Sequence, residues 1–344
     1  MLHPDVDASR NDLSILTTLS RESYSTTAFD AFAPAKEFSL GMAHALAWMC
    51  QLAYETADPD KTRGILGDWG MNLVDGGVLL GTARTVLPIA STHGVVTSGR
   101  GATIVAFAGT DPLSLANWIT NFNARVGPAG VADGFRRALS AVLPTVRTLV
   151  RSPVAAGRPL FLTGHSLGGA LAVLAAYELQ ANGIDVAGVY TFGMPRPGNE
   201  EFAGTAYRPL LGARTYRLVY GADIVPTVAP SWMGFRHVGR LLLCPGGGRF
   251  DTAALSDSVD LDDPQFMPRL SKKLGSLTEK GSSPAETFSD RAVLAAKIAR
   301  GKVAARQESD LVAAAIELLP PELRDHLPDR YIGALAPSPQ RAGA

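Results

Sequence analysis

The stretch Thr163-Gly164-His165-Ser166-Leu167-Gly168-Gly169-Ala170 decides the fold, because an apolar run, Pro159 to Leu162, leads into it and an apolar helical run leads out of it. A strand, a very sharp turn and a helix fit that order. A serine at the tip of such a turn holds a strained backbone conformation, and Gly164 and Gly168 flank it because a Cβ at either place would collide with the adjoining strand or helix. The G-x-S-x-G spacing therefore raises a hydroxyl above the carboxyl edge of a sheet, with the backbone N–H of Leu167 beside it at a helix N-terminus. Such a group is placed to attack a carbonyl carbon. Five-residue matches of this kind arise by chance in a chain with 35 glycines, so the flanking strand and helix give this one its meaning.

Working outward, Ala102 to Phe107 is continuously apolar apart from Thr103, as expected of a strand buried on both faces. It pairs in a hairpin with Thr92 to Val96 across the turn-forming cluster Ser98-Gly99-Arg100-Gly101. The strand ends in Ala108-Gly109-Thr110-Asp111. Acyl transfer needs two N–H donors at the oxyanion, one after the nucleophile and one from a loop following another strand. Leu167 and Thr110 are the candidates for that oxyanion hole, and an ordinary strand-ending turn is the alternative for Thr110. The next segment, Pro112 to Asn123, sets Leu113, Leu115, Trp118 and Ile119 among small and polar residues. It reads as a short substrate-binding lid, or as a core helix with Trp118 inside.

Met42, Ala45, Leu46, Met49 and Ala53 recur at helical spacing behind the N-cap candidate Ser39. Gly64 to Gly81 reads as loop with one short strand. Phe135 to Val150 reads as one amphipathic helix with Arg136, Arg137 and Arg147 toward solvent. Val186 to Phe192 and Thr215 to Tyr220 read as strands. Alternating strands and helices predict an α/β fold with a mainly parallel central sheet flanked by helices, whose active edge is the carboxyl ends of the strands.

The edge rule selects the acid. Asp185 lies at the start of a strand, whereas Asp223 lies just past the end of Thr215 to Tyr220, on the same edge as Ser166. The base must accept and return a proton at neutral pH, which calls for histidine. The order nucleophile, acid, histidine leaves two of the six histidines, His237 and His326. His237 begins the apolar run Val238 to Cys244, and a side chain in a strand is fixed by the pleat. His326 follows Arg324-Asp325 in a loop that can be aimed at the serine, which favours it, with His237 as the alternative base.

The 32 basic and 32 acidic side chains balance, which gives no global pull toward nucleic acid or an anionic membrane, and no apolar run reaches membrane-spanning length. Met1 to Ser25 carries no secretory pattern, so a cytoplasmic location is expected. Cys50 and Cys244 sit in apolar surroundings as inert thiols; no metal-ligand spacing is present and no cofactor is implied. The expected organisation is an N-terminal arm over 1–35 and a single domain over 36–344. Within that domain a loop and helical insertion is expected at about 245–320, including the capping box Ser283-Pro284-Ala285-Glu286.

Together these residues resemble the class 3 lipases, the family of fungal triacylglycerol lipases and their bacterial and plant relatives. The resemblance runs from about Ser39 to Leu335 in separate motifs. Phe107-Ala108-Gly109-Thr110 is similar to the family's oxyanion strand end, with Ala108 where arginine is usual. Asn117-Trp118-Ile119 is similar to its lid, Gly134-Phe135 to its next motif, with Ala132 where histidine is common, and Thr163 to Ala170 to its nucleophile turn. Phe192 to Asn199 and Asp223-Ile224-Val225-Pro226 resemble two further motifs. The resemblance implies an α/β-hydrolase fold and a Ser166–Asp223–His326 triad. The base would sit in the Asp325-His326 motif with Tyr331 following, and the motif of His237 and Gly239 would be structural. It also implies hydrolysis of acylglycerol or other lipid esters, with transient contact at a lipid interface. A short-chain esterase, a thioesterase, or a binding protein that keeps the fold without turnover are the alternatives.

Overall fold

The computed structural model describes residues 18–81, 92–110, 125–257 and 321–337. Its strands, in chain order, are β1 (Met71–Gly81), β2 (Thr92–Gly99), β3 (Ala102–Phe107), β4 (Leu160–His165), β5 (Gly188–Phe192), β6 (Gly198–Asn199), β7 (Thr215–Tyr220), β8 (Phe235–Arg236), β9 (Arg240–Cys244) and β10 (Leu255–Ser256). Eight of them form one sheet in the order β1-β2-β3-β4-β5-β7-β9-β10, and β6 pairs with β8 apart from it. The run from β3 to β9 is parallel, while β1, β2 and β10 add antiparallel edges. This is the mainly parallel, helix-flanked sheet of an α/β-hydrolase. Parallel strands all end on one edge, and that edge receives Thr110, Ser166, Gly193 and Asp223.

Helices cover both faces because the strands are apolar on both. Along β3, Val105 and Phe107 join the cluster under α3 (Asp133–Ser140), α4 (Leu143–Leu149) and α5 (Leu167–Ala181). Ile104 and Ala106 join the opposite cluster under α1 (Leu40–Leu52) and α6 (Pro328–Leu335). The period-2 pleat thus feeds two cores from one short, mainly apolar run. α5, which begins immediately after Ser166, is apolar on nearly every side because it lies between the sheet and α3. Ser39 caps α1 by accepting the Met42 N–H at 3.1 Å. Burial pushes the Cys50 thiol up to about 12, and its sulfur lies 3.1 Å from the Thr163 hydroxyl, so it is protonated and unreactive.

Three local expectations differ from the structure. Gly64 to Gly81 is not loop: α2 (Pro59–Asp68) runs into it from the Asp58 cap with Pro59 at the first helical position, and the long bulged strand β1 follows. Glycines at 64 and 67 are tolerated because tertiary contacts override propensity. Phe135 to Val150 is two helices, α3 and α4, since Pro144 starts a new helix after Ser140. Of the expected arm, residues 18–35 include core. Phe29 stacks on Trp69 with ring centroids 5.2 Å apart, and the Tyr24 hydroxyl donates to Glu55 at 2.8 Å. Each buried phenyl ring contributes about 1.5–3 kcal/mol. The segment shows no period because it is built of turns around one short 3₁₀ helix, Arg21–Ser23. Residues 1–17 lie outside the described part.

The start of the expected insertion is also built onto the core. Phe250 stacks on Tyr331 at 6.2 Å, its N–H bonds the Ala334 carbonyl at 3.2 Å, and β10 extends the sheet beside β9. Residues 258–320 lie outside the described part, as do the capping box at Ser283 and the lid expected over Pro112 to Asn123. Among the described residues no helix is long and apolar enough to cross a membrane.

Candidate active site

Ser166 occupies the turn between β4 and α5 with φ +57° and ψ −130°, a left-handed conformation that a non-glycine residue adopts at a cost of about 1–3 kcal/mol. Its neighbours hold it there. The Ser166 N–H donates to the Phe192 carbonyl at 2.9 Å, and its own carbonyl accepts the Gly169 N–H at 2.9 Å. A Cβ on Gly164 would run into the Gly168 backbone, and one on Gly168 into the Phe107 and Ala108 carbonyls. The two glycines of the motif are therefore steric necessities of this crossing.

The end of β3 approaches the serine closely. A Cβ on Gly109 would lie 2.7 Å from Ser166 Cβ, so a side chain there would displace the nucleophile. Thr110 follows directly, half-buried, and Leu167 opens α5, where a first-turn N–H has no intrahelical acceptor. The structure thus brings both expected oxyanion donors to the end of the sheet that carries Ser166.

The acid and one of the two candidate bases meet on the same edge. His326 Nδ1 lies 2.9 Å from each Asp223 carboxylate oxygen. Both side chains are buried. The carboxylate also accepts the Val225 N–H at 2.9 Å and a short hydrogen bond from the Tyr331 hydroxyl, whose ionisation burial and the Asp223 charge together oppose. A histidine donating Nδ1–H to a carboxylate carries its lone pair on Nε2. His326 Nε2 and Ser166 Oγ are both buried, and neither has a hydrogen-bond partner among the described residues. The His326 ring lies 4.5 Å, centroid to centroid, from that of His165, the residue before the serine.

His237 occupies a different place. It is fully buried, donates Nε2–H to the Pro226 carbonyl at 2.7 Å, and burial, followed by the Arg217 and Arg196 charges, holds it well below the usual histidine range. Arg196 pins the same loop by donating to the Thr227 carbonyl at 2.7 Å and the Ala229 carbonyl at 2.9 Å. These contacts set the path of the chain immediately beyond Asp223.

Three supporting residues were not assigned a task from sequence. Gly193, at φ +60°, leaves room for the pair: a Cβ there would lie 2.6 Å from Asp223 Oδ2 and 2.8 Å from His326 Nδ1. Asp325 accepts the Ala222 N–H at 2.9 Å, joining the loop of the histidine to the loop of the acid. His165 bonds the His326 main chain. A glycine directly after an apolar strand, at the edge where the acid is expected, was the available signal for Gly193. Leu113, Leu115, Trp118 and Ile119 lie outside the described residues. Among the described residues no group of three or more His, Cys, Asp or Glu could hold a metal ion.

Residues 104–232 match the lipase (class 3) family. That stretch holds Ser166, Asp223 and the end of β3. A secreted mono- and diacylglycerol lipase of Fusarium solani is 38% identical over 144 residues, which cover 39% of this chain and 42% of that protein. A lipase of Rhizopus niveus is 34% identical over 116 residues, covering 32% of this chain and 28% of its own length. The matched region thus spans less than half of each relative. The solved Rhizomucor miehei lipase propeptide complex is similar over 62% of this chain and 72% of its own, with 22% identity and a TM-score of 0.48. The cytoplasmic location expected from the lack of a secretory pattern is overturned by the names of the matched relatives. Those of Fusarium solani and Malassezia restricta are named as secreted lipases.

Proposed function

We propose that this protein is a class 3 lipase, a serine hydrolase that cleaves carboxylic esters, acylglycerols in the first place, through an acyl-enzyme. The observation that carries this reading is the pairing of His326 with Asp223 on the sheet edge that presents Ser166 in a strained turn. His326 Nε2 takes the proton of Ser166 Oγ as the oxygen attacks the ester carbonyl. The oxyanion is met by the N–H groups of Leu167 and Thr110, and the imidazolium formed is stabilised by Asp223. His326 then delivers its proton to the departing alcohol, and water, deprotonated by the same nitrogen, releases the acid. Tyr331 and the Val225 N–H keep the Asp223 carboxylate oriented without taking part in the proton transfer. His237 serves as a structural anchor of the acid loop.

The matched relatives named as mono- and diacylglycerol lipases direct the choice of substrate class and make lipid droplets or emulsions the natural partner. The test is a panel of mono-, di- and triacylglycerols, short soluble esters and a thioester, presented to the full chain and to Ser166→Ala. Turnover of acylglycerols that disappears in Ser166→Ala supports the reading. Equal hydrolysis by the two proteins, or preference for the thioester, would overturn it.

A further inference from the structure

His165 stands between Gly164 and Ser166, so its main chain belongs to the turn that carries the nucleophile. Its side chain crosses to the other half of the site. Nε2 lies 2.6 Å from the backbone carbonyl oxygen of His326, and Nδ1 lies 2.8 Å from the Tyr54 hydroxyl. A carbonyl oxygen only accepts, so Nε2 carries the hydrogen; Nδ1 of the neutral ring then accepts from the Tyr54 O–H. One imidazole therefore has both nitrogens engaged and its tautomer fixed. Tyr54 is itself beside the oxyanion strand end, where a Cβ on Gly109 would meet its hydroxyl oxygen at 2.5 Å.

We propose that His165 is a positioning residue for the catalytic histidine: its Nε2–H holds the His326 main chain at a fixed place relative to Ser166, setting nucleophile and base in register. The proposal rests on the hydrolase reading of this site. The need for such a tether follows from topology. Ser166 and His326 are 160 residues apart in the chain, on elements whose other bonds run to different partners: the Ser166 N–H goes to Phe192, whereas the His326 side chain is held by Asp223. The His165 bond is a direct link between the nucleophile turn and the base loop. The ring must also stay neutral. Burial and the neighbouring His326 hold its pKa well below the usual histidine range, and a charged ring there would oppose the imidazolium that His326 becomes during turnover.

The experiment compares three variants with the wild-type full chain on a soluble short-chain ester, with kcat and KM separated and thermal midpoints measured. His165→Phe keeps a planar ring but has no N–H. His165→Asn places an amide near Nδ1, too short to reach the His326 carbonyl. His165→Gln places an amide N–H close to the position of Nε2. Expected is a kcat lowered about 10²-fold in His165→Phe and His165→Asn with KM within about twofold, on the scale of a misplacement near 1 Å at the reacting atoms. His165→Gln should recover to within roughly fivefold of wild type, whatever its thermal midpoint. An unimpaired His165→Phe, or a His165→Gln as slow as His165→Phe, would overturn the proposal. So would losses of kcat that rank with the thermal midpoints. A folded wild type that neither turns over ester nor reacts with a fluorophosphonate would instead overturn the hydrolase reading.

Discussion

Replacing Gly193 by alanine should disable the site through two separable effects. The backbone at position 193 has φ +60°, which an L-residue adopts at a cost of about 1–2 kcal/mol. The new Cβ would lie 2.6 Å from Asp223 Oδ2, 2.8 Å from His326 Nδ1 and 2.9 Å from His326 Cε1. Ordinary contact begins near 3.4 Å, so the carboxylate and imidazole must retreat by roughly 0.8 Å. Neither can do so within its pocket without loosening the pair. A shift of about 1 Å at reacting groups costs on the order of 10²-fold, and losing the acid's function altogether about 10⁴-fold. Gly193→Ala should therefore lower kcat/KM on a soluble ester by 10² to 10⁴, on the order of those two limits, and lower stability by about 1–3 kcal/mol. Gly183→Ala is the control: its φ is +77° and nothing lies within 4 Å of the added carbon. It should lose about 1–2 kcal/mol in urea denaturation and keep full activity. A Gly193→Ala enzyme within threefold of wild type would refute the claim that this glycine shapes the Asp223–His326 pair.

Removing the Tyr331 hydroxyl in Tyr331→Phe should lower kcat/KM about tenfold with KM nearly unchanged, since one hydrogen bond to the buried carboxylate is lost; unaltered kinetics would show that the bond orients nothing. Acidification should destabilise the fold. His165 and His237 have folded pKa values depressed by burial, and His44 and His93 are lowered the same way. The unfolded chain takes up protons on these groups near pH 6.5 while the folded chain does not, so the unfolded state binds more protons. Stability is then fully present above about pH 7 and falls as pH drops through about 6.5. The slope is about 1.4 kcal/mol per pH unit for each histidine that stays neutral, until its folded pKa is reached. Urea midpoints at pH 7.5, 6.5 and 5.5 check this, and a flat profile would contradict it. His237→Ala should cost about 1–3 kcal/mol through the lost bond to Pro226, reduce that pH slope by one histidine's share, and leave the folded enzyme active.

The sheet was legible because its residues speak locally. The apolar run Ala102 to Phe107 is a strand on any register, and the turn around Ser166 needs its glycines for reasons of volume alone. Asp223 could be chosen by asking which acid follows a strand on the right edge. The helix boundaries around Pro59 and Pro144 were less legible, since a proline that starts a helix and one that ends it look alike until the cap is seen. The buried segment around Phe29 was illegible for another reason: its ring packs on Trp69, 40 residues later, and no period within the segment records that contact. The supporting residues of the site were hidden in the same way. His165 occupies the unspecified position before the serine in G-x-S-x-G, yet its partner His326 lies 161 residues away. Gly193 is required by two side chains from other loops. Such roles depend on long-range juxtaposition, which a single sequence encodes only through the fold it adopts.

The most direct measurement is the site and rate of fluorophosphonate labelling in the wild type, His326→Ala and His237→Ala, followed by mass spectrometry of the modified peptides. Expected is a single adduct on Ser166 in the wild type, formed at least about 10³-fold more slowly in His326→Ala and within a few-fold of wild type in His237→Ala. An adduct on another residue, or a His326→Ala protein that labels Ser166 as fast as wild type, would contradict the assignment of Ser166, Asp223 and His326 as one catalytic unit.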